Sequence, residues 1–151
     1  MVAGYSGRSV VQKLGIKPGF RIFVDGAPAS YDRVVGELPA ETTIAPRLKA
    51  TLDMVHLFAM QAASLRKKLP ACRDAIAPDG MVWVSWPKKS SGVATDVTEN
   101  VVRDTALSLG LVDIKVCAID ETWSGLKLVS PLARRGDKAA KKMSRKNRSS
   151  A

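Results

Sequence analysis

The chain has 151 residues, 46% of them hydrophobic and 25% charged, and a net charge of +10. That is enough to bury one core without staples, and no apolar run approaches the ~20 residues of a membrane span. The opening residues 1–8 hold no apolar signal core, and Cys72 and Cys117 lack metal-ligand spacing, so a cytoplasmic protein with no metal is expected.

Ser9 with Gln12 three residues later is a capping-box spacing, so Val10, Val11 and Leu14 should form a short helix ended by Gly15. Lys17-Pro18-Gly19 is a turn. Phe20 to Val24 reads as a first strand, dense in aromatic and β-branched residues and closed by Asp25-Gly26. Ala29 to Leu38 can form a helix with Val34, Val35 and Leu38 on one face, and Thr42 to Ala45 is a short strand. Asp53 to Ala59 is a further strand, with the chain's single histidine, His56, among Met54, Val55, Leu57 and Phe58; its apolar setting points to a core histidine.

Gln61 to Ala77 is amphipathic, with Leu65, Leu69, Cys72 and Ile76 three or four apart, and Pro70 should kink or break it. Pro78-Asp79-Gly80 makes a turn into the strand Met81 to Trp86. Pro87 stops that strand, and the polar loop Lys88-Lys89-Ser90-Ser91-Gly92 follows. Asp96 with Glu99 reads as a capping box for a helix carrying Val97, Val101, Val102, Leu107 and Leu109 and stopped by Gly110. Leu111 to Ile119 is a strand in which Cys117 should be buried. Asp120 to Gly125 is a connection, and Leu126 to Val129 is the last strand.

The charge is unevenly placed. Arg134, Arg135, Lys138, Lys141, Lys142, Arg145, Lys146 and Arg148 stand against Asp137 alone, so the last nineteen residues carry +7 and residues 1–132 only +3. Without aromatic or β-branched residues that tail cannot offset its ordering entropy, so residues 133–151 are expected to be a basic disordered tail. Its cations could hold nucleic-acid phosphates without reading sequence, or serve only to keep the chain soluble.

Strands alternating with helices argue for one Rossmann-like α/β domain over residues 1–132, with helices on both faces of a mostly parallel sheet. The last two strands are too close for a crossover helix and should close the sheet as an antiparallel hairpin. This element order, with Leu69 to Trp86 as a helix, a Pro-Gly-like turn and a strand, resembles the second half of class I methyltransferases. The resemblance implies an S-adenosylmethionine (SAM) site. However, the first strand runs into Val24-Asp25-Gly26-Ala27-Pro28 instead of a glycine-rich loop, and Pro46-Arg47 stands where a ribose-binding carboxylate would follow the second.

A second set of strings is similar to a family of small uncharacterised bacterial proteins, a domain of unknown function. They are Tyr5-Ser6-Gly7, Lys13 to Gly19, Trp86 to Asp96, and Gly110 to Lys127. The family implies no activity.

In such a sheet, ligands gather outside the carboxyl ends of the parallel strands. Asp25, Gly26, Trp86, Lys88, Lys89, Ser90, Ser91, Asp120, Glu121 and Trp123 should converge on that rim. The lysines and serines could hold a phosphate or carboxylate, or simply pair with Asp120 and Glu121. Asp120 and Glu121 beside Trp123 could supply a general base next to a stacking face, or just a hairpin turn. The first expectation is therefore a non-catalytic binding or regulatory module for a small anionic ligand or a protein partner. The alternatives are a divergent SAM-dependent methyltransferase and a nucleic-acid-associated protein acting through the tail.

Overall fold

The computed structural model describes residues 9–131; the basic tail lies outside the described residues. The elements are α1 (Val10–Leu14), β1 (Arg21–Asp25), α2 (Tyr31–Val35), β2 (Thr43–Ile44), β3 (Leu52–Phe58), α3 (Ala62–Ala75), β4 (Ile76–Pro87), α4 (Glu99–Ser108), β5 (Val112–Ala118) and β6 (Trp123–Val129). They form one six-stranded sheet in the order β2-β1-β3-β4-β6-β5. β1 to β4 pair in parallel, and β6 runs antiparallel between β4 and β5. This is the expected Rossmann-like α/β domain with its antiparallel C-terminal hairpin.

The apolar periodicity sorts side chains onto two faces. Leu65, Leu69, Cys72 and Ala75 of α3, with Val102 and Ala106 of α4, pack on Leu52, Val55, Leu57, Val82, Val84 and Trp86. On the other face, Val11 and Leu14 of α1 and Tyr31 and Val35 of α2 meet Met54, Phe58, Trp83 and Trp123. Strands covered on both sides read as near-continuous hydrophobic runs, as Met81 to Trp86 does.

Local chemistry explains where the expectations shift. The Ser9–Gln12 capping box forms in both directions, each bond 3.1 Å. The Ala29–Leu38 helix shortens to Tyr31–Val35 because Gly36, at φ 97°, turns the chain away. The Thr42–Ala45 strand shrinks to two residues. α3 continues through Pro70, although the bond to the Arg66 carbonyl is lost, because buried residues on both sides anchor it.

Pro78-Asp79-Gly80 is a loop within β4. Leu52 pairs with Ile76 and Met54 with Met81, so residues 77–80 bulge out opposite Asp53 alone. A Cβ on Gly80 would sit 3.0 Å from the Ala77 backbone, which explains the glycine. The capping box expected at Asp96 is absent. Thr98 caps α4 by accepting from Val101 N, and Asp96 Oδ1 instead accepts from Ala62 N at 2.7 Å, capping α3 across the loop. Cys72 is buried and Cys117 only half-buried, and both are free thiols.

Candidate functional site

The chain runs from β1 outward to β2, returns across β1 to β3, and continues the other way to β4. The switch point therefore lies between the carboxyl ends of β1 and β3, where open α/β sheets form their crevice. There β1 runs into Gly26 at φ 77°, and a Cβ on Gly26 would sit 2.8 Å from the Phe58 carbonyl oxygen. Only glycine lets the β1 turn close against the end of β3. Asp25 accepts from Lys68 Nζ of α3 at 3.2 Å, with both groups partly exposed.

Beside this turn, on the α2 side, opens a cleft of about 690 Å³. Its walls are apolar, from Val24 of β1, Ala27 past the end of that strand, Leu38 after α2, and Ile44 of β2, which is 46% exposed. Ser30, Asp32 and Glu37 supply its polar groups. Tyr31 also lines it, and its hydroxyl reaches inward to His56 Nδ1 at 2.5 Å; His56 Nε2 lies 2.6 Å from Ser85 Oγ. This chain of hydrogen bonds joins α2, β3 and β4 through the core. His56 also stacks on Phe58, with ring centroids 4.3 Å apart, and Phe58 meets Trp123 edge-on.

The burial governs protonation. Desolvation pulls the His56 pKa down to about 3, so the ring is neutral. It also raises the Tyr31 phenol well above its ordinary value. Cys72 is pushed up to about 12, first by burial and then by the nearby Asp25 charge, which leaves an inert thiol.

The other expected rim residues reach the same sheet edge with different roles. Lys88 spends its donors on the β5–β6 turn: its backbone N–H donates to Thr122 O at 2.8 Å and its Nζ to the Asp120 carbonyl at 2.6 Å. The partner is the main chain of Asp120. The Asp120 carboxylate accepts from Thr122 N and Trp123 N and so builds the turn. Ser91 Oγ donates to Lys88 O and closes its own loop, while Lys89, Ser90 and Glu121 are exposed. Trp86 and Trp123 are each only 7% exposed and belong to opposite cores, so Trp123 does not offer the stacking face expected of it and Trp86 turns away from the rim.

A latch crosses the end of β3. Thr95 Oγ1 donates to Met60 O at 2.7 Å, next to the Asp96 cap on α3. Among the described residues, no group of three or more His, Cys, Asp or Glu could hold a metal, and no helix is long and apolar enough to cross a membrane.

Sequence reasoning missed the cleft and the Tyr31–His56–Ser85 chain. A lone histidine in an apolar strand was the available signal, but its partners lie 25 and 29 residues away. Lys68 as the counter-ion of Asp25 left no signal, since its partner is 43 residues off.

No protein-family model matches the chain, and no curated protein matches it in sequence, so the likeness to a bacterial family stays an expectation. Solved structures do match. A precorrin-6y C5,15-methyltransferase from Geobacter metallireducens superposes with a TM-score of 0.57 at 7% identity, covering 81% of this chain and 86% of that one. A SAM-dependent methyltransferase from Aquifex aeolicus gives 0.56 at 12%, covering 79% and 86%. The magnesium protoporphyrin IX methyltransferase from Synechocystis PCC 6803, solved with bound SAM, gives 0.53 at 11%, covering 81% and 74%.

The chain has the methyltransferase fold. These neighbours are methyltransferases, one of them with bound SAM, which overturns the expectation of a non-catalytic binding or regulatory module.

Proposed function

We propose that this chain is a divergent SAM-dependent methyltransferase. The observation that carries the reading is the cleft beside the β1 turn, at the switch point of a methyltransferase fold. The cleft is within the ~300–1,000 Å³ range of small-molecule sites, with apolar walls and few polar groups.

That lining suits a nucleoside bearing a charged tail. Val24, Ala27, Leu38 and Ile44 would enclose the base, and the exposed carboxylates of Asp32 and Glu37 would accept from the ribose hydroxyls. They would do so from α2 and its exit, since Arg47, and no carboxylate, follows β2. Gly26 is explained by its packing on Phe58, so the cofactor would be held by the cleft walls in place of a glycine-rich loop. SAM, when bound, supplies an electrophilic methyl group.

The rim takes the acceptor in this reading. Lys89, Ser90 and Glu121 are exposed at the carboxyl edge, where an ammonium group attracts an anionic acceptor and a carboxylate removes its proton. Lys88, Ser91 and Asp120 hold the rim in shape. Asp25, paired to Lys68, meets the ligand's tail beside Gly26.

Isothermal titration of the full chain with SAM and S-adenosylhomocysteine tests this. Binding is expected, with affinity lowered at least about tenfold, or 1.4 kcal/mol, in an Asp32→Ala/Glu37→Ala double variant. Lys89→Ala should leave SAM affinity unchanged. If neither ligand binds at millimolar concentration, the reading is wrong.

A further inference from the structure

His56 is fully buried and has a hydroxyl on each ring nitrogen, from Tyr31 on Nδ1 and from Ser85 on Nε2. The ring is neutral, as its burial dictates, so it carries a single N–H hydrogen. The phenol and the serine hydroxyl bring one hydrogen each. Three hydrogens thus serve two hydrogen bonds, and one is left over.

The direction of the chain decides which. If Tyr31 donates to Nδ1, the ring hydrogen lies on Nε2 and goes to Ser85, and the serine hydrogen is the spare. Ser85 is fully buried, and among the described residues His56 is the one partner of its hydroxyl. That spare would be sealed in the core without an acceptor, which buried donors avoid. In the opposite direction Ser85 donates to Nε2, Nδ1–H donates to Tyr31 Oη, and the phenol hydrogen is the spare. Tyr31 lines the cleft, so this hydrogen has an outlet.

Donors are scarce among the side chains that line the cleft. The carboxylates of Asp32 and Glu37 only accept. The hydroxyls are those of Ser30, which is exposed, and of Tyr31, which packs with Val24, Ala27 and Leu38 of the apolar wall. A purine held by that wall brings ring nitrogens that accept, and neither carboxylate can satisfy them.

We propose that Tyr31 binds the ligand of the cleft by donating its phenol hydrogen to a purine ring nitrogen, with His56 and Ser85 as positioning residues that turn this hydrogen outward. The purine rests on the reading of the cleft as a SAM site.

Two measurements on the full chain test this. His56 is the chain's single histidine, so a long-range proton–nitrogen correlation spectrum reports its ring alone. The Nδ1–H tautomer is expected for wild type without ligand, and the Nε2–H tautomer overturns the proposal. Isothermal titration then compares S-adenosylhomocysteine with its three deaza analogues, in each of which C–H replaces one accepting ring nitrogen. Wild type should bind one analogue at least about tenfold more weakly than the parent, a difference of about 1.4 kcal/mol. In Tyr31→Phe that difference should vanish. A variant that had merely loosened the cleft would bind all four ligands more weakly and keep it.

Equal wild-type affinity for all four, or discrimination that survives Tyr31→Phe, overturns the proposal and leaves the SAM site standing. Both wild-type readouts still decide if Tyr31→Phe does not fold. If wild type binds none of the four, the SAM reading itself fails and takes the purine with it.

Discussion

The two faces of this sheet are held by different chemistry. Against α3 and α4 the buried contacts are apolar, from Leu65 and Leu69 to Val102 and Ala106, and the ion pairs Lys68–Asp25 and Arg103–Asp113 lie at the partly exposed margin. On the opposite face, α1 and α2 are five residues each, far below the ~12–15 residues at which helices begin to persist alone. They are tied down by hydrogen bonds from the core. Trp83 Nε1 donates to the Leu14 carbonyl at the end of α1 at 3.0 Å, and Tyr31 at the start of α2 bonds to His56. Long helices dock by area, whereas short ones need specific polar anchors. The anchored face is also the one with the cleft, whose walls must be fixed without being filled.

The largest test of that contrast is at Trp83, which is fully buried. Trp83→Ala should cost about 3–5 kcal/mol by denaturant unfolding. Trp83→Phe keeps most of the volume and orphans the Leu14 carbonyl, so about 1–3 kcal/mol is expected. If the phenylalanine variant matches wild type, α1 is held by packing alone.

A pH series separates the faces directly. The folded His56 pKa is depressed from 6.5 to about 3, so between those values the unfolded chain takes up a proton that the folded chain refuses. Stability is then lost as pH falls, by about 2 kcal/mol from pH 7 to pH 5 from this group. His56→Gln should remove that part of the slope. Leu69→Ala, on the apolar face, should lower stability by ~2–5 kcal/mol and leave the slope intact.

Tyr31→Phe removes one partner of the buried ring and should cost ~1–3 kcal/mol. It should also loosen the cleft wall, which hydrogen exchange at α2 would report as faster opening than at α3. Equal rates would mean that α2 does not depend on this bond.

The smallest effect belongs to a polar tie on the apolar face. Asp96→Ala uncaps α3 and should cost about 1 kcal/mol, read as a small loss in the denaturant midpoint. A loss as large as that of Trp83→Ala would show that α3 too depends on a polar anchor.

What was legible in advance was whatever the chain writes locally. The Ser9–Gln12 cap, the β1 and β3 strands, the α3 stripe and the closing hairpin all rest on residues within a few positions of one another. The basic tail was read just as locally, and it lies outside the described residues. The rim residues reach the expected edge, but Lys88, Ser91 and Asp120 serve the loops there, and the rings of Trp86 and Trp123 turn into the two cores.

By itself the sequence determined the element order, the parallel sheet and its antiparallel close, because periodicity and turn chemistry act over short spans. Only the tertiary structure decided that Asp96 caps α3, that His56 joins Tyr31 to Ser85, that α2 and β2 frame a cleft, and that β6 runs between β4 and β5. Each depends on groups far apart in the chain, and no local pattern records which distant partner a side chain will meet.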